Sequence, residues 1–310
     1  MKAIMYHYIR PSDPELPHFQ HLYIEDFKRQ LDYFAEQFGF LSKADYLQSL
    51  ETGVSKAGVV LTFDDGFKDH YQYVLPCLRE RGLWGIFYIS TGVYSSGKLL
   101  DVHRIHLLLG KHGGEVIFNA LKSMVLERGM SHLDVKRFKT LTYEGQTSDE
   151  YTKIVKRMLN YYISYDYRTS IIDELMKRFL PNERIIASQF YLDVEDIRQM
   201  QDAGMVVGSH AVSHPVMSKL TKNEQKNEIV RSFDFLDQVT GGLSLRTFCY
   251  PYGGFYSFTK ETEDLLEENR CQFSFNVEPK DIDDFCLKNR RQAMPRYDCN
   301  QFPYGSVRNH

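Results

Sequence analysis

Apolar residues recur along this 310-residue chain in two different patterns. One has the three-to-four-residue period of an amphipathic helix, and Gly39 is expected to end its first example. That example comprises Ile24, Phe27, Leu31, Phe34 and Phe38. The other is a short apolar run without alternation, such as "VVLTF" at 59–63, which is typical of a strand buried on both faces of a parallel sheet.

Predicted strands and helices alternate through most of the chain. Strands are predicted at 3–9, 59–63, 83–90, 205–209, 247–251 and 272–277. Helices are predicted at 24–38, 43–50, 71–78, 194–203, 222–239 and 258–269. Thr221 and Glu224 predict a capping box before one of these helices. The alternation predicts an α/β fold with a largely parallel sheet, either open or closed into a barrel.

Residues 95–190 interrupt this alternation. They contain polar, tyrosine-rich segments of helical period, at 151–162 and 167–180. We therefore predict one domain made of 1–94 and 191–310, with 95–190 as a large helical insertion. A lid, an interface through which the chain forms homo-oligomers, and a purely structural element all fit amphipathic helices, so these alternatives stay open.

Composition narrows the class of protein. The 38 Lys and Arg residues nearly balance the 41 Asp and Glu residues, so no basic surface for nucleic acid is expected. Five scattered cysteines without a C-x-x-C pair indicate neither a disulfide framework nor a thiolate zinc site. No run approaches the ~18 apolar residues of a membrane span, and the N-terminal residues are too polar for a secretion signal. We therefore expect a cytoplasmic protein.

Two adjacent acids, Asp64 and Asp65, follow the predicted strand at 59–63. An Asp-Gly pair often turns a hairpin, but the helical period after Gly66 argues against a second strand. The acids are therefore expected in a loop at the carboxyl end of a parallel strand, where α/β folds collect their active-site residues. Because neighbouring carboxylates repel unless a cation or a proton relieves them, we predict a metal site.

A histidine pair follows the predicted strand at 205–209. His210 and His214 are four residues apart, a spacing that lets two imidazoles converge on one ion. Two histidines with one aspartate leave a coordination position open for water, as catalytic metal sites do. The other aspartate is then available as a base.

The segments "TFDDG" at 62–66 and "SHAVSH" at 209–214 together resemble the first two motifs of the polysaccharide deacetylases, the NodB-homology carbohydrate esterases of family 4. The resemblance does not extend to the insertion. It implies a distorted (β/α) barrel of the NodB-homology type and a metal-dependent hydrolase that removes acetyl groups, usually from N-acetylated sugars. The ligand types and the metal that the family usually binds imply that the divalent ion is zinc.

The resemblance also implies roles for individual residues. Asp64 is the implied catalytic base, and the implied metal ligands are Asp65, His210 and His214.

A third segment, "FCYPYGG" at 248–254, is similar to the family's third motif. Pro251, Tyr252 and Gly253 match it as substrate-binding residues, and the Tyr252 backbone N–H is the implied donor to the oxyanion. The arginine that the family uses to orient the base is replaced here by Cys249. Candidates to replace that arginine are Arg246, Arg291 and Arg296.

The general acid is implied by a displaced motif. The family's Leu-x-His motif is missing from 290–300, whereas the first predicted strand reads "IMYH". Some branches of the family carry this motif on the first strand, so His7 is the implied general acid. The alternative is a structural histidine beneath the proline-rich loop that follows.

The resemblance therefore implies a carbohydrate substrate, such as a precursor of a surface polysaccharide, from which an acetyl group is removed, most often from nitrogen. Two alternatives stay open: a hydrolase of a small non-sugar amide such as a formamide or ureide, and an inactive carbohydrate-binding relative. Cys249 in place of arginine favours the inactive relative, whereas the presence of the base and all three ligands argues against it.

Overall fold

The computed structural model describes residues 1–127 and 148–308, and these divide into two compact units. The first unit contains Met1–Pro11, His21–Gly97 and Ala187–Val307, and the second contains Ser12–Gln20 and Lys98–Ile186. Residues 12–20 thus group with the second unit, although their position in the sequence assigned them to the domain that begins at residue 1. Part of the predicted insertion, 128–147, lies outside the described residues, and its nature as an insertion stays a prediction.

Seven of the strands form a single sheet in which all neighbours are parallel, in the order β8-β7-β6-β5-β4-β1-β9, while β2 and β3 pair separately. The strands are β1 (Lys2–Tyr6), β2 (Ile9–Arg10), β3 (Leu22–Tyr23), β4 (Val59–Phe63), β5 (Gly85–Ile89), β6 (Val206–Ser209), β7 (Thr247–Cys249), β8 (Phe273–Phe275) and β9 (Tyr297–Asp298). The predicted α/β class is confirmed.

One short segment, 294–298, contacts β8 at one edge of the sheet and β1 near the other. Met294 forms a parallel bridge with Phe275 at the β8 edge, and Tyr297 in β9 pairs with Ile4 in β1. The sheet therefore curls toward a closed, distorted barrel.

Helices follow most of the strands. They are α1 (Ile24–Gln37), α2 (Lys43–Thr52), α3 (Leu75–Glu80), α4 (Gly92–Ser96), α5 (Asp101–His112), α6 (Gly114–Glu127), α7 (Glu150–Arg157), α8 (Tyr165–Phe179), α9 (Glu183–Phe190), α10 (Val194–Asp202), α11 (Lys222–Thr240), α12 (Lys260–Glu268) and α13 (Asp284–Asn289). The predicted capping box is present: the Thr221 side chain accepts from the Glu224 N–H, and the Glu224 carboxylate accepts from the Thr221 N–H at 2.8 Å. No helix among the described residues is long and apolar enough to cross a membrane.

Alternate residues of the sheet belong to two different cores. Leu61, Phe63 and Phe87 pack in a cluster with residues of α1, α3 and α10. Val60 and Tyr88 face the other way and pack in a second cluster, which includes residues of β8. Because both faces of the strands are buried, the strands are continuous apolar runs, and this is why the runs predicted them.

The second unit is held together partly by charge. Arg104 on α5, nearly buried, pairs with Asp101 at 3.0 Å, with Asp173 on α8 at 2.9 Å and with Glu183 at the start of α9 at 2.6 Å. Asp101 also accepts from Arg168 at 2.7 Å. One guanidinium therefore connects α5, α8 and the first turn of α9 within this unit.

Candidate active site

The carboxyl ends of β1, β4, β6 and β7 bring the predicted site residues to one edge of the sheet. His7 follows β1, Asp64 follows β4, His210 follows β6, and Cys249 is the last residue of β7. The Asp64 N–H donates to the carbonyl of Tyr6 at 2.9 Å, which continues the pairing of β4 with β1 beyond the strand ends. Because the strands are parallel, segments far apart in sequence meet here.

Asp65, His210 and His214 form a compact, buried group. The Asp65 Oδ1 atom lies 3.5 Å from the Nε2 atom of His210 and 3.4 Å from that of His214. One donor atom from each of the three residues lies within 4.8 Å of the others. The two motifs therefore come together as predicted from their positions after β4 and β6.

The backbone of this group is held in unusual conformations. Asp65, Ala211 and His214 have φ angles of 78°, 63° and 55°. Residues other than glycine rarely adopt this left-handed region, and such conformations cluster at functional sites because the surrounding structure has to enforce them.

The protonation of His210 is fixed by its neighbour. Its Nδ1 atom lies 2.7 Å from the carbonyl oxygen of Cys249. A carbonyl oxygen only accepts hydrogen bonds, so Nδ1 carries the proton and Nε2 presents its lone pair toward Asp65. Burial lowers the pKa of His210, which favours the neutral imidazole that a metal ion requires.

These separations fit a metal ion. Zinc–nitrogen and zinc–oxygen bonds of about 2.1 Å in tetrahedral geometry place neighbouring ligand atoms about 3.4 Å apart. The observed separations of 3.5 and 3.4 Å match this spacing. The donor set of two imidazoles and one carboxylate is therefore suited to a divalent transition metal in both chemistry and dimensions.

Asp64 faces a different partner, Arg296. The Arg296 guanidinium donates to both carboxylate oxygens, at 2.8 Å each, and also to the Thr62 hydroxyl at 3.0 Å. Both Asp64 and Arg296 are almost completely buried. Burial alone would raise the pKa of Asp64, but the charge and hydrogen bonds of Arg296 lower it to about 2. Asp64 is therefore ionised and fixed in orientation.

Cys249 lies beside this ion pair. Its thiol donates to Asp64 at 3.4 Å and accepts from Arg296 at 2.8 Å. Asp64, His210 and Cys249 are a second group with metal-ligating atoms close together. The Arg296 guanidinium, however, already contacts the Asp64 carboxylate and the Cys249 thiol of this group. A metal ion there would meet a buried guanidinium, so the group with Asp65 is the better metal site.

The other two candidate arginines lie elsewhere, and this corrects the assignment of Arg291 as a base-orienting residue. Arg291 donates to the carbonyls of Leu287 and Leu50. Arg246 pairs with Asp237 on α11. Of the three, only Arg296 contacts Asp64. It lies between Met294, which bridges to β8, and Tyr297, which pairs with β1.

His7 lies one residue beyond β1 and is half-buried. It is close enough to Asp64 to contribute to the lowering of that carboxyl's pKa, after the larger effect of Arg296. Its carbonyl oxygen accepts from the Nε2 atom of His70 at 2.8 Å. His7 therefore reaches the same edge as the two aspartates.

The segment 251–253 borders the histidines. Tyr252 has a φ of 64°, and its ring centroid lies 5.0 Å from that of His214. Gly253 has a φ of 68°, and a Cβ atom there would lie 2.3 Å from a methyl group of Val277, so only glycine fits. Pro251 is buried next to them.

Sequence analysis missed Glu228 and assigned no role to His70. Glu228 on α11 accepts hydrogen bonds from residues 212 and 213, inside the loop that carries the histidine pair. It belongs to no motif, and its only signal is its place next to the buried Ile229 on the inner face of the helix.

Residues 179–273 match the family model described as polysaccharide deacetylase. This span includes both histidines of the buried group and the segment 251–253, but not the two aspartates. The resemblance to the polysaccharide deacetylases is confirmed. No curated protein is significantly similar to the chain.

Solved structures of deacetylases have the same fold. The Streptococcus pyogenes deacetylase PplD in complex with acetate has a TM-score of 0.58 at 16% identity, with 96% of this chain and 91% of that chain covered. The BpsB deacetylase domain of Bordetella bronchiseptica has a TM-score of 0.53 at 12% identity, covering 96% and 94%. A de-N-acetylase from Aggregatibacter actinomycetemcomitans has a TM-score of 0.51 at 13% identity, covering 96% and 93%. Likeness at these identities shows the fold, and the predicted distorted (β/α) barrel of the NodB-homology type is confirmed.

Proposed function

We propose that the protein is a metal-dependent hydrolase that removes a nitrogen-bound acetyl group from a carbohydrate. The observation that carries this proposal is the group of Asp65, His210 and His214, with ligand-like separations of 3.5 and 3.4 Å, beside the buried carboxylate of Asp64. The match to the polysaccharide deacetylase family supports a carbohydrate substrate. The fold shared with PplD, whose structure contains acetate, supports an acetyl group.

Asp65, His210 and His214 are the residues that would hold the ion. When bound, a divalent ion supplies a Lewis acid that lowers the pKa of water and polarises an acyl oxygen. We choose zinc because two imidazoles and one carboxylate are a donor set of catalytic zinc sites. Other divalent transition metals accept the same donors and serve as comparisons in the test.

Asp64 acts as the base. Its carboxylate accepts a proton from the water that attacks the acyl carbon. The two hydrogen bonds from Arg296 hold the carboxylate in one orientation, and the pKa of about 2 keeps it ionised at neutral pH. Arg296 thereby replaces, from the segment before β9, the arginine expected where Cys249 stands.

His7 and Tyr252 complete the reaction. The His7 imidazolium donates its proton to the leaving nitrogen as the carbon–nitrogen bond breaks, which releases acetate and a free amine. The Tyr252 backbone N–H donates to the oxygen that becomes negatively charged when water adds to the carbonyl. The water proton taken by Asp64 balances the proton given by His7.

Acetate release from a panel of acetylated sugars, sugar-nucleotides and oligosaccharides tests this proposal. Protein treated with a chelator is expected to release no acetate, and activity is expected to return with added zinc. Faster hydrolysis of formamides or ureides than of acetylated sugars would identify a small non-sugar amide as the substrate. Stoichiometric bound zinc without turnover of any compound would favour the inactive carbohydrate-binding relative.

Two further expectations belong to this proposal and stay predictions. One is a cytoplasmic location, which the five reduced cysteines of the structure fit. The other is self-association through 95–190, for which sedimentation of the purified protein is the measurement.

A further inference from the structure

The loop that carries the two histidines needs to be held in place. Between His210 and His214 it contains Ala211, and both Ala211 and His214 are in the left-handed region of φ. An isolated peptide of this sequence would leave these conformations, because side chains with a Cβ atom disfavour them. The position of the His214 imidazole relative to Asp65 therefore depends on contacts made by the loop.

The chain after β5 holds the carbonyl groups of this loop. The Ser90 hydroxyl donates to the carbonyl of His210 at 2.9 Å. The backbone N–H groups of Thr91 and Gly92 donate to the carbonyls of Ala211 and Val212 at 3.1 and 2.8 Å. These contacts leave the N–H groups of the loop to be satisfied from another direction.

The Ala211 N–H donates to the Ser209 hydroxyl at 3.2 Å, and a single carboxylate accepts from the next two N–H groups. The Oε2 atom of Glu228 accepts from the backbone N–H groups of both Val212 and Ser213, at 2.8 Å each. Its Oε1 atom accepts from the Ser213 hydroxyl, also at 2.8 Å. Successive N–H groups that converge on one anion are a stable way to fix a turn with left-handed residues.

Glu228 belongs to a helix that packs against the core. It lies on α11, one turn before Ser232, and the hydroxyls of Ser232 and Ser209 are 2.6 Å apart. Residues four apart share one face of a helix, so the same face of α11 contacts the end of β6 and the loop that follows it. Ile229 and Phe233 next to this face are buried in the core.

We propose that Glu228 is a positioning residue of the metal centre, which sets the affinity for the ion without contacting it. The proposal rests on the proposed function, because it requires that His210 and His214 bind a metal. Both Glu228 oxygens are engaged by the loop, so the carboxylate acts through the two residues that immediately precede His214. Residues that orient metal ligands typically change metal affinity by 10- to 100-fold when they are removed.

The test is the dissociation constant for zinc, measured by competition with a chromophoric chelator at fixed pH. Glu228→Ala is expected to weaken binding by about 10- to 100-fold. Glu228→Gln keeps an acceptor oxygen at the same place and is expected to recover most of this loss. Ser213→Ala removes one of the three contacts and is expected to weaken binding less than Glu228→Ala. Asp234→Asn, which removes one exposed negative charge from the same helix, is the matched control and is expected to bind like the wild type.

Melting of the metal-free proteins separates this role from a general effect on folding. Unchanged zinc affinity in Glu228→Ala, with or without a lower melting temperature, would overturn the positioning role while leaving the proposed function intact. A wild type that binds no zinc would overturn both. Equal weakening by Asp234→Asn would also overturn the inference, because it would trace the effect to surface charge.

Discussion

Asp64 and Asp65 are adjacent in the sequence but have different partners. Asp65 adopts a φ of 78°, and its carboxylate lies against the imidazoles of His210 and His214, whereas that of Asp64 lies against Arg296. Arg296 thus neutralises the charge of Asp64, whereas a cation held with the two histidines would neutralise that of Asp65. This difference is the basis for assigning Asp65 as a metal ligand and Asp64 as the base.

Removal of Arg296 tests the ion pair at Asp64. Arg296→Met would leave a buried carboxylate without its counter-charge, and we expect a loss of about 3–5 kcal/mol in the free energy of unfolding. Asp64→Asn combined with Arg296→Met is expected to be less destabilised than Arg296→Met alone, since no buried charge is then left unpaired. Denaturant unfolding measures the free energy of unfolding of both variants. Equal losses in the single and the double variant would contradict a stabilising ion pair between Asp64 and Arg296.

His70 predicts a pH dependence of stability. It is fully buried among Phe63, Phe67 and Phe87, and burial lowers its pKa from 6.5 to about 4, despite its hydrogen bond to the His7 carbonyl. The folded state keeps this histidine neutral while the unfolded chain binds a proton below pH 6.5, so its contribution is complete above that pH and is lost as the pH falls toward 4.

The comparison variant is His70→Gln, whose amide can still donate to the His7 carbonyl. Between about pH 7.5 and about pH 4.5, the wild type is expected to lose about 2–3 kcal/mol more of its unfolding free energy than this variant. Denaturant titrations at both pH values measure the difference. Parallel pH dependences would mean that His70 does not stay neutral in the folded protein.

At the scale of secondary structure, local patterns predicted most of the elements near the site. The apolar runs located β4, β5 and β6, and the capping box located the start of α11, because burial on both faces and helix capping are both visible in short stretches of sequence. The strand β9 was missed, since its two residues carry no pattern. The identity of the arginine at Asp64 depends on the path of the segment before β9, which is a long-range property.

The three-helix contact of Arg104 gives a prediction for the second unit. Arg104→Leu would leave Glu183 without its guanidinium partner and Asp101 with Arg168 alone. We expect a loss of about 2–3 kcal/mol in stability together with faster proteolysis within this unit. Lys111→Leu is the control, because its exposed pairing with Glu15 spans 3.9 Å and is expected to contribute little. Equal proteolysis of both variants would contradict a structural role for the Arg104 contacts.

At the scale of the whole molecule, every residue assigned to the reaction lies in the first unit. Sequence analysis grouped these residues through two motifs after parallel strands, since strand ends at one sheet edge meet in space. It did not group 12–20 with the second unit, because contacts between distant segments leave no periodic signal. It also did not find Glu228, whose role depends on the angle at which α11 crosses the histidine loop.

The most direct test of the account is the zinc content of Asp64→Asn and Asp65→Asn, purified in parallel with the wild type. We expect about one zinc per chain in the wild type and in Asp64→Asn, and a large loss of zinc in Asp65→Asn, because Asp65 alone of the two contributes a ligand. Equal zinc contents in the two variants, or loss only in Asp64→Asn, would contradict the division of roles between the neighbouring aspartates.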